Sequence, residues 1–249
     1  MSEYTFSVND LTITVHYSNE DIQHVFLPFL KQLSDMQENA GKRLIVFLAA
    51  APGSGKSTFV SFLEHLSKTT EELTPIQGIG IDGFHYKQSY LDTHYLKSDP
   101  AVLLRTVKGS PDTFDVESLY KHIQEAKHTD NFWPVYSRKL HDPLEDQIRI
   151  QEPILLIEGN YLLYPHAPWK SLYELCDYSV YMHVDQHILK ERLVQRKVSG
   201  GSSYEDALQH YEAVDRTNIE LVIEEQLPYD LRFVFDRENH IVSDVTKAI

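Results

Sequence analysis

The sequence predicts an α/β protein with three layers, in which helices cover both faces of a mainly parallel sheet. Three continuous apolar runs, RLIVFLAAA, EPILLIEG and DYSVYMHVD, are typical of strands that are buried on both faces of such a sheet. Segments with helical periodicity stand between or after these runs, as in STFVSFLEHLSK and ILKERLVQRK. Strands that alternate with helices indicate a parallel sheet with crossover connections.

The first forty residues show a different pattern, which predicts a hairpin and a helix. YTFSVNDLTITVHY alternates polar and apolar residues around Asn9-Asp10, as β-hairpins do. SNEDIQHVFLPFLKQLSDMQ then places apolar residues at helical spacing, and Ser18 stands where a capping residue would. We therefore expect an extension over residues 1–40 and a main domain over residues 41–249.

Four further segments complete the predicted fold. IQGIGID predicts a strand and DVESLYKHIQEAK a helix. SYEDALQHYEAVDRTNIELVIEE predicts helix near the end of the chain, and LRFVFDRENHIVSDV predicts a terminal hairpin. The segment from Phe84 to Asp115 is long and weakly periodic, and such a stretch inside a compact domain is often functional.

Composition excludes several classes of function. The 249 residues include 37 acidic and 23 basic side chains, and a formal net charge of -14 repels nucleic acid and anionic membranes. Cys176 is the sole cysteine, so no internal disulfide can form and we expect a cytoplasmic location. The N-terminus does not look like a signal peptide, and the longest apolar stretch, Leu44 to Pro52, is too short to span a bilayer. The scattered histidines lack zinc-ligand spacing.

A phosphate-binding loop is predicted where the first apolar run passes into a helix. APGSGKST has the strand–loop–helix context that such a loop requires, although Ala50 stands where the usual pattern begins with glycine. Glycines allow backbone angles that turn successive N–H groups toward one anion, and the helix adds its positive end. Lys56 would reach the β- and γ-phosphates. The expected nucleotide-binding residues are Pro52, Gly53, Ser54, Gly55, Lys56, Ser57 and Thr58.

Two oxygen ligands for Mg²⁺ are predicted beside this loop. The Ser57 hydroxyl follows the loop lysine, as the magnesium ligand of such loops does. Glu158 ends the buried run LLIEG and would hold the ion directly or through water. The alternative for Glu158 is a solvated acid at a strand end.

Asp82, in IDGFHY, is the candidate catalytic base. It follows a predicted strand end, and in a doubly wound sheet the carboxyl ends of the strands meet at the ligand crevice. A carboxylate there can take the proton of an attacking hydroxyl. His85 and Tyr86 would stand beside it and contact the substrate. The alternative is a capping aspartate in an Asp-Gly turn.

Two polar and aromatic segments indicate a small polar ligand. In KGSPDTFD, Asp112 is a candidate for binding substrate hydroxyls, whereas Asp115 equally suits the N-cap of the next helix. WPVYSRKLHDP predicts a short loop of rings and hydrogen-bonding groups, which suits such a ligand. A packed aromatic loop is the alternative. The candidate substrate-binding residues in this loop are Tyr136, Arg138 and His141.

A pair of arginines predicts a second anion-binding element. Arg192 and Arg196 lie four residues apart, on one face of a predicted helix. Two guanidinium groups aimed at a phosphate would neutralise the charge that develops during its transfer. Gly200-Gly201 behind them predicts a hinge, and hence a lid near residues 190–203. The alternative is a solvated basic face of the helix.

Taken in order, these motifs resemble those of the phosphoribulokinase/uridine kinase superfamily of P-loop kinases, which includes bacterial pantothenate kinase. The chain looks most similar to the branch of nucleoside/nucleotide kinase-like and fructose-transport-kinase-like proteins. The resemblance implies the P-loop kinase fold, binding of ATP and Mg²⁺, and transfer of the γ-phosphoryl group to a hydroxyl of a nucleoside, a sugar or a pantothenate-like molecule. The motifs that carry it are APGSGKST, DGFHY, KGSPDTFD, PVYSRKLHDP and LLIEGNYLL.

By motif position, the resemblance assigns Asp82 to the catalytic base of uridine kinases and Asp112 to their ribose-hydroxyl ligand. Tyr136 and His141 match the loop that holds the uracil ring. The chain departs from the pattern in two places, with His85 in place of the usual Tyr and Arg138 in place of the usual Phe, so the acceptor stays open.

A nucleotide-binding regulatory ATPase module without a small-molecule acceptor is the alternative function. A homodimer formed through one of the terminal hairpins also stays open.

Overall fold

The computed structural model describes residues 2–8 and 11–242, and it confirms the predicted α/β class. A five-stranded parallel sheet forms the centre and is flanked by helices. The strands are β1 (Ser2–Val8), β2 (Leu11–Tyr17), β3 (Leu44–Ala50), β4 (Ile76–Gly80), β5 (Phe132–Ser137), β6 (Asp142–Arg149), β7 (Ile154–Gly159), β8 (Tyr178–Val184) and β9 (Leu231–Phe235).

The helices agree with the predicted segments, and two of them contain a wider, π-helical turn. No helix in the described part of the chain is long and apolar enough to cross a membrane. The helices are α1 (Asn19–Asp21, the π turn Ile22–Phe26, and Leu27–Ala40), α2 (Lys56–Thr69), α3 (Gln88–Leu91), α4 (Val116–Ala126), α5 (Gln186–Ser199) and α6 (Tyr204–His210, the π turn Tyr211–Asp215, and Arg216–Glu224).

The central strands lie in the spatial order β4-β7-β3-β8-β9, and each neighbouring pair is parallel. Every residue of β3 and of β7 is buried, which explains why both sequences are continuous apolar runs. Because parallel strands of one sheet end on the same side, the carboxyl ends of β3, β4 and β7 meet at one edge. The predicted phosphate loop, Asp82 and Glu158 lie at this edge.

The N-terminal strands form the predicted antiparallel hairpin, which packs on α2. The Ser18 side chain caps α1, since its oxygen accepts a hydrogen bond from the Asp21 amide at 2.9 Å. Phe26 of α1 is fully buried, and its ring centre lies 5.3 Å from that of Phe59 and 6.2 Å from that of Phe233. The first forty residues therefore share a core with the sheet, and a domain boundary at residue 40 stays a prediction.

One predicted loop is wrong. WPVYSRKLHDP does not form a loop along its length: it contributes most of β5, a turn over residues 138–141 and the start of β6. The two prolines made a strand improbable, because proline cannot donate to a β-ladder. The pairing tolerates Pro134 because the register shifts between Trp133 and Val135. The aromatic segment is thus a hairpin that lies beside β4, where the Trp133 indole donates to the Gly80 carbonyl oxygen at 2.8 Å.

The chain after β9 turns back on itself, as the predicted terminal hairpin requires. Phe235 and Ile241 pair in an antiparallel bridge, and the Val242 amide donates to the Val234 carbonyl oxygen at 3.0 Å. The remainder of that predicted hairpin, residues 243–245, lies outside the described residues, as does the predicted turn at Asn9-Asp10.

Candidate active site

The phosphate loop, residues 51–55, joins the buried end of β3 to the first turn of α2. Gly53 and Gly55 have φ angles of 81° and 88°, which residues with a side chain rarely adopt. A Cβ atom at Gly53 would lie only 2.9 Å from Cγ of Leu193 on α5. The first amides of α2 have no acceptor within the helix, so the loop offers N–H donors and a positive helix end to an anion.

The predicted nucleotide-binding residues 52–58 all lie in this loop and the first turn of α2. Ser54 and Thr58 are buried, whereas Pro52 and Lys56 are half-buried and border the open side. Ala50, the departure from the usual glycine, is a buried strand residue at the end of β3. The alanine therefore precedes the phosphate-facing turn.

The Ser57 hydroxyl and the Glu158 carboxylate meet across the end of the sheet. Ser57 donates a hydrogen bond to Oε1 of Glu158 at 2.6 Å. Burial raises the pKa of the Glu158 carboxyl; the charge of Lys56 and the bond from Ser57 oppose this, while the charge of Asp82 adds to it. A Cβ atom at Gly80 would lie 2.9 Å from Glu158 Oε1, so glycine at the end of β4 leaves the carboxylate its space.

This pair fits Mg²⁺ in its chemistry. Both side chains offer the hard oxygen ligands that Mg²⁺ prefers, and Mg²⁺ in nucleotide sites uses one or two protein ligands together with substrate phosphates and water. A buried carboxylate with a raised pKa gains a stabilising partner when a cation binds. Within residues 2–8 and 11–242 no group of three or more His, Cys, Asp or Glu side chains could hold a metal ion.

Asp82 faces the same space as Ser57 and Glu158. It lies in the short helical turn Ile81–Phe84 directly after β4 and is half-buried. The three side chains line one cavity of about 200 Å³. Ser7 of the N-terminal hairpin also lines it, a contribution that the sequence did not predict because β1 and the sheet edge are far apart in the chain.

Arg192 does not reach into this cavity. Its guanidinium donates to the Ser54 carbonyl oxygen at 3.1 Å, to the Arg237 carbonyl oxygen at 3.1 Å and to Oδ1 of Asn239 at 3.2 Å. Burial lowers its pKa, and the charge of Arg237 lowers it further. Arg192 therefore joins the phosphate loop to the turn that follows β9.

Arg196, one helical turn later, is placed differently. Its side chain is exposed to water, yet protein lies close enough around it for desolvation to lower its pKa. The charge of Arg138 lowers this pKa further, and those of Asp215 and Asp82 oppose the shift. The charge of Asp82 therefore acts on Arg196, whereas the guanidinium of Arg192 is held at the phosphate loop. Beyond the end of α5, Gly201 has a φ of 101°.

The predicted substrate residues on the β5–β6 hairpin lie close to a lysine that the sequence analysis did not single out. Tyr136 lines the cavity of Asp82. The Lys108 ammonium group lies 5.0 Å from the centre of the Tyr136 ring and donates to the His141 carbonyl oxygen at 3.1 Å. The His141 side chain and Arg138 are exposed in the turn. No sequence signal marks Lys108, because the contact with His141 spans 33 residues.

Of the other predicted substrate residues, His85 lies beside Tyr136, with 5.5 Å between the ring centres. Nδ1 of His85 lies 2.9 Å from the Asp82 carbonyl oxygen, and its ring centre lies 3.8 Å from that of Phe114. Burial lowers the pKa of His85. Tyr86 and Asp112 line a separate cavity of about 600 Å³. Asp115 caps α4 by accepting a hydrogen bond from the Ser118 amide at 3.0 Å, as predicted.

The sequence is similar to those of known proteins over most of its length. Residues 45–237 match the phosphoribulokinase / uridine kinase family. The chain belongs to this family. Family membership confirms the resemblance that its motifs predicted and implies nucleotide binding at the phosphate loop.

Individual relatives cover most of the chain. The "Uncharacterized protein YggC" of Escherichia coli (strain K12) is 40% identical over 218 residues, which are 87% of this chain and 89% of the relative. The "Putative uridine kinase C227.14" of Schizosaccharomyces pombe (strain 972 / ATCC 24843) is 29% identical over 197 residues, or 76% and 82% of the two chains. A crystal structure named "putative fructose transport system kinase from Silicibacter sp. TM1040" has a TM-score of 0.69 at 28% identity and covers 81% of this chain and 98% of its own.

Proposed function

We propose that this protein is an ATP-dependent kinase that transfers the γ-phosphoryl group to a hydroxyl of a small molecule. The observation that supports this most is that Asp82 lines the same cavity as Ser57 and Glu158. A phosphate-binding loop alone suits a hydrolase or a switch equally well. A carboxylate in the same cavity as the magnesium ligands can accept the proton of an acceptor hydroxyl.

Each residue of the cleft has a role in this proposal. The loop amides and Lys56 bind the phosphates of ATP, and Ser57 with Glu158 would hold Mg²⁺, which supplies positive charge to the phosphate oxygens when it is bound. Asp82 orients the acceptor hydroxyl and accepts its proton. Arg196, which lies near Asp82, stabilises the negative charge on the transferring group.

Asp82→Asn tests the proposal. Asparagine keeps the shape of the side chain but cannot accept the proton, so kcat falls by about 10²–10⁴-fold, while ATP binding by calorimetry is unchanged. Asp99→Asn is the matched control, because Asp99 is exposed and accepts only a local bond from the Ala101 amide at 3.0 Å. Turnover of Asp82→Asn at the rate of the control would refute the assigned role.

A further inference from the structure

Two cationic side chains, Lys108 and Arg138, lie at the β5–β6 hairpin without a carboxylate partner among the described residues. Lys108 belongs to the segment between Phe84 and Asp115, and Arg138 belongs to the turn of the β5–β6 hairpin. Neither forms an ion pair within the described ranges. The whole chain carries a net charge of -14, so unpaired positive charge beside a cleft requires an explanation.

Lys108 is held in place without being neutralised. Its ammonium group donates to Oε1 of Gln88 at 3.2 Å and to the His141 carbonyl oxygen at 3.1 Å. Both acceptors are uncharged, so the hydrogen bonds fix the position of the cation and leave its charge available. The ammonium group also lies 5.0 Å from the centre of the Tyr136 ring. A planar base would compete with Lys108 for that ring face.

Arg138 adds a second positive charge in the turn of the β5–β6 hairpin. Its side chain is exposed in the turn that Lys108 contacts through His141. It is close enough to Arg196 for its charge to lower the pKa of that residue, and Asp82 is close enough to oppose this shift. Lys108 and Arg138 thus place two positive charges at the turn of the hairpin whose Tyr136 lines the cavity of Asp82.

The transferring phosphoryl group does not account for these charges. In the proposed function, Lys56 and Arg196 already contact it, and the Arg192 guanidinium is bonded to Ser54, Arg237 and Asn239. Clustered like charges repel one another, and an anion bound between them relieves the repulsion. Guanidinium and ammonium groups both bind carboxylates and phosphates through charge-assisted hydrogen bonds.

We propose that the acceptor is itself an anion: a small alcohol with a carboxylate or phosphate group, which Lys108 and Arg138 bind while its hydroxyl faces Asp82. The inference rests on the proposed kinase function and gives it a substrate class. A neutral nucleoside would leave both cations without a counter-ion.

Matched pairs of acceptors test this directly. The pairs are glycerate with glycerol, pantothenate with pantothenol, and fructose 1-phosphate with fructose, each assayed with ATP and Mg²⁺ by mass detection of the phosphorylated product. We expect the anionic member of the accepted pair to exceed its neutral partner in kcat/KM by about 100-fold, since each charge-assisted contact contributes about tenfold or more. The carboxylate and phosphate pairs separate the two sources of charge.

Single substitutions then show which residues cause the preference for an anionic acceptor. Arg138→Gln raises KM for the anionic acceptor by about 10- to 100-fold and leaves KM for ATP unchanged. Lys139→Gln is the control, because Lys139 is the next residue of the same turn, is exposed and has no ion pair in the part of the chain described. Lys108→Gln acts in the same direction as Arg138→Gln, and Lys108→Arg restores part of the affinity.

The outcomes separate this inference from the proposed function. The inference of an anionic acceptor is overturned if a neutral acceptor and its anionic partner are turned over equally, or if Arg138→Gln leaves the KM for the acceptor unchanged. Neither result contradicts the proposed kinase function. Absence of phosphorylated product from every member of the panel counts against both.

Discussion

The two sides of the cleft are built by different means. On the phosphate side, the functional groups lie on β3, on the loop after it, on α2 and at the end of β7, and both strands are buried along their whole length. On the acceptor side, the groups come from the segment between Phe84 and Asp115 and from a two-stranded hairpin. Hydrogen bonds between side chains and backbone join these parts, as Lys108 joins His141.

This difference indicates which part of the reaction each side controls. Backbone angles and close packing fix the phosphate side, as the contact between Gly53 and Leu193 illustrates. Exposed or half-buried side chains form the acceptor side, and these can change without altering the sheet. We therefore expect substitutions on the phosphate side to affect reaction with every acceptor, and those on the acceptor side to change which acceptor is used.

The two arginines of α5 give the largest expected effect, and they test a second division, between a residue that supports the phosphate loop and one that acts on the transferring group. Arg196→Gln removes a cation near Asp82 that makes no hydrogen bond within the described residues, so kcat falls by about 100-fold with little change in Tm. Arg192→Gln removes three hydrogen bonds that join Ser54, Arg237 and Asn239, so the free energy of unfolding falls by about 1–3 kcal/mol and KM for ATP rises. Steady-state kinetics and thermal unfolding of both variants measure the contrast. The reverse pattern would contradict the division.

Glu158 provides a smaller, pH-dependent test on the phosphate side. Because burial raises the pKa of this carboxyl, the folded protein holds the proton more tightly than the unfolded chain does. Stability is therefore lost as pH rises from the ordinary glutamate range through the raised pKa. Glu158→Gln does not undergo this loss of stability. Without nucleotide and Mg²⁺, its Tm at pH 7 therefore exceeds that of the parent by a few degrees, which corresponds to about 1 kcal/mol in the free energy of unfolding.

The advantage of Glu158→Gln shrinks as pH falls toward the ordinary glutamate pKa. Glu71→Gln is the control, because Glu71 is exposed and has no ion pair in residues 2–8 and 11–242. A Glu158→Gln variant whose Tm difference from the parent is constant across this pH range would show that burial does not shift the Glu158 carboxyl.

The same contrast explains what the sequence could predict. The phosphate loop is contiguous in sequence, and its glycines and lysine indicate phosphate binding because they stand between a buried strand and a helix. Glu158 was found because it ends an apolar run. Both signals are local, so the fold class and the ligand edge of the sheet followed from them.

The acceptor side depends on contacts that no short pattern reveals. Pro134 and Pro143 led to the prediction of a loop where the β5–β6 hairpin lies. A register shift in the hairpin accommodates Pro134. Lys108 was missed because its partners, Gln88 and His141, are 20 and 33 residues away. The bonding of Arg192 to Asn239 likewise depends on the folded turn after β9.

In the proposed function, the phosphate loop and Asp82 act together to transfer a phosphoryl group to an alcohol. The most direct measurement compares ADP formed with phosphorylated acceptor formed in one reaction, by nucleotide chromatography and mass detection, over the panel of anionic alcohols. We expect equimolar products and ADP formation that stops when the acceptor is omitted. ADP accompanied only by inorganic phosphate, at a rate that no acceptor changes, would contradict it and favour the regulatory ATPase.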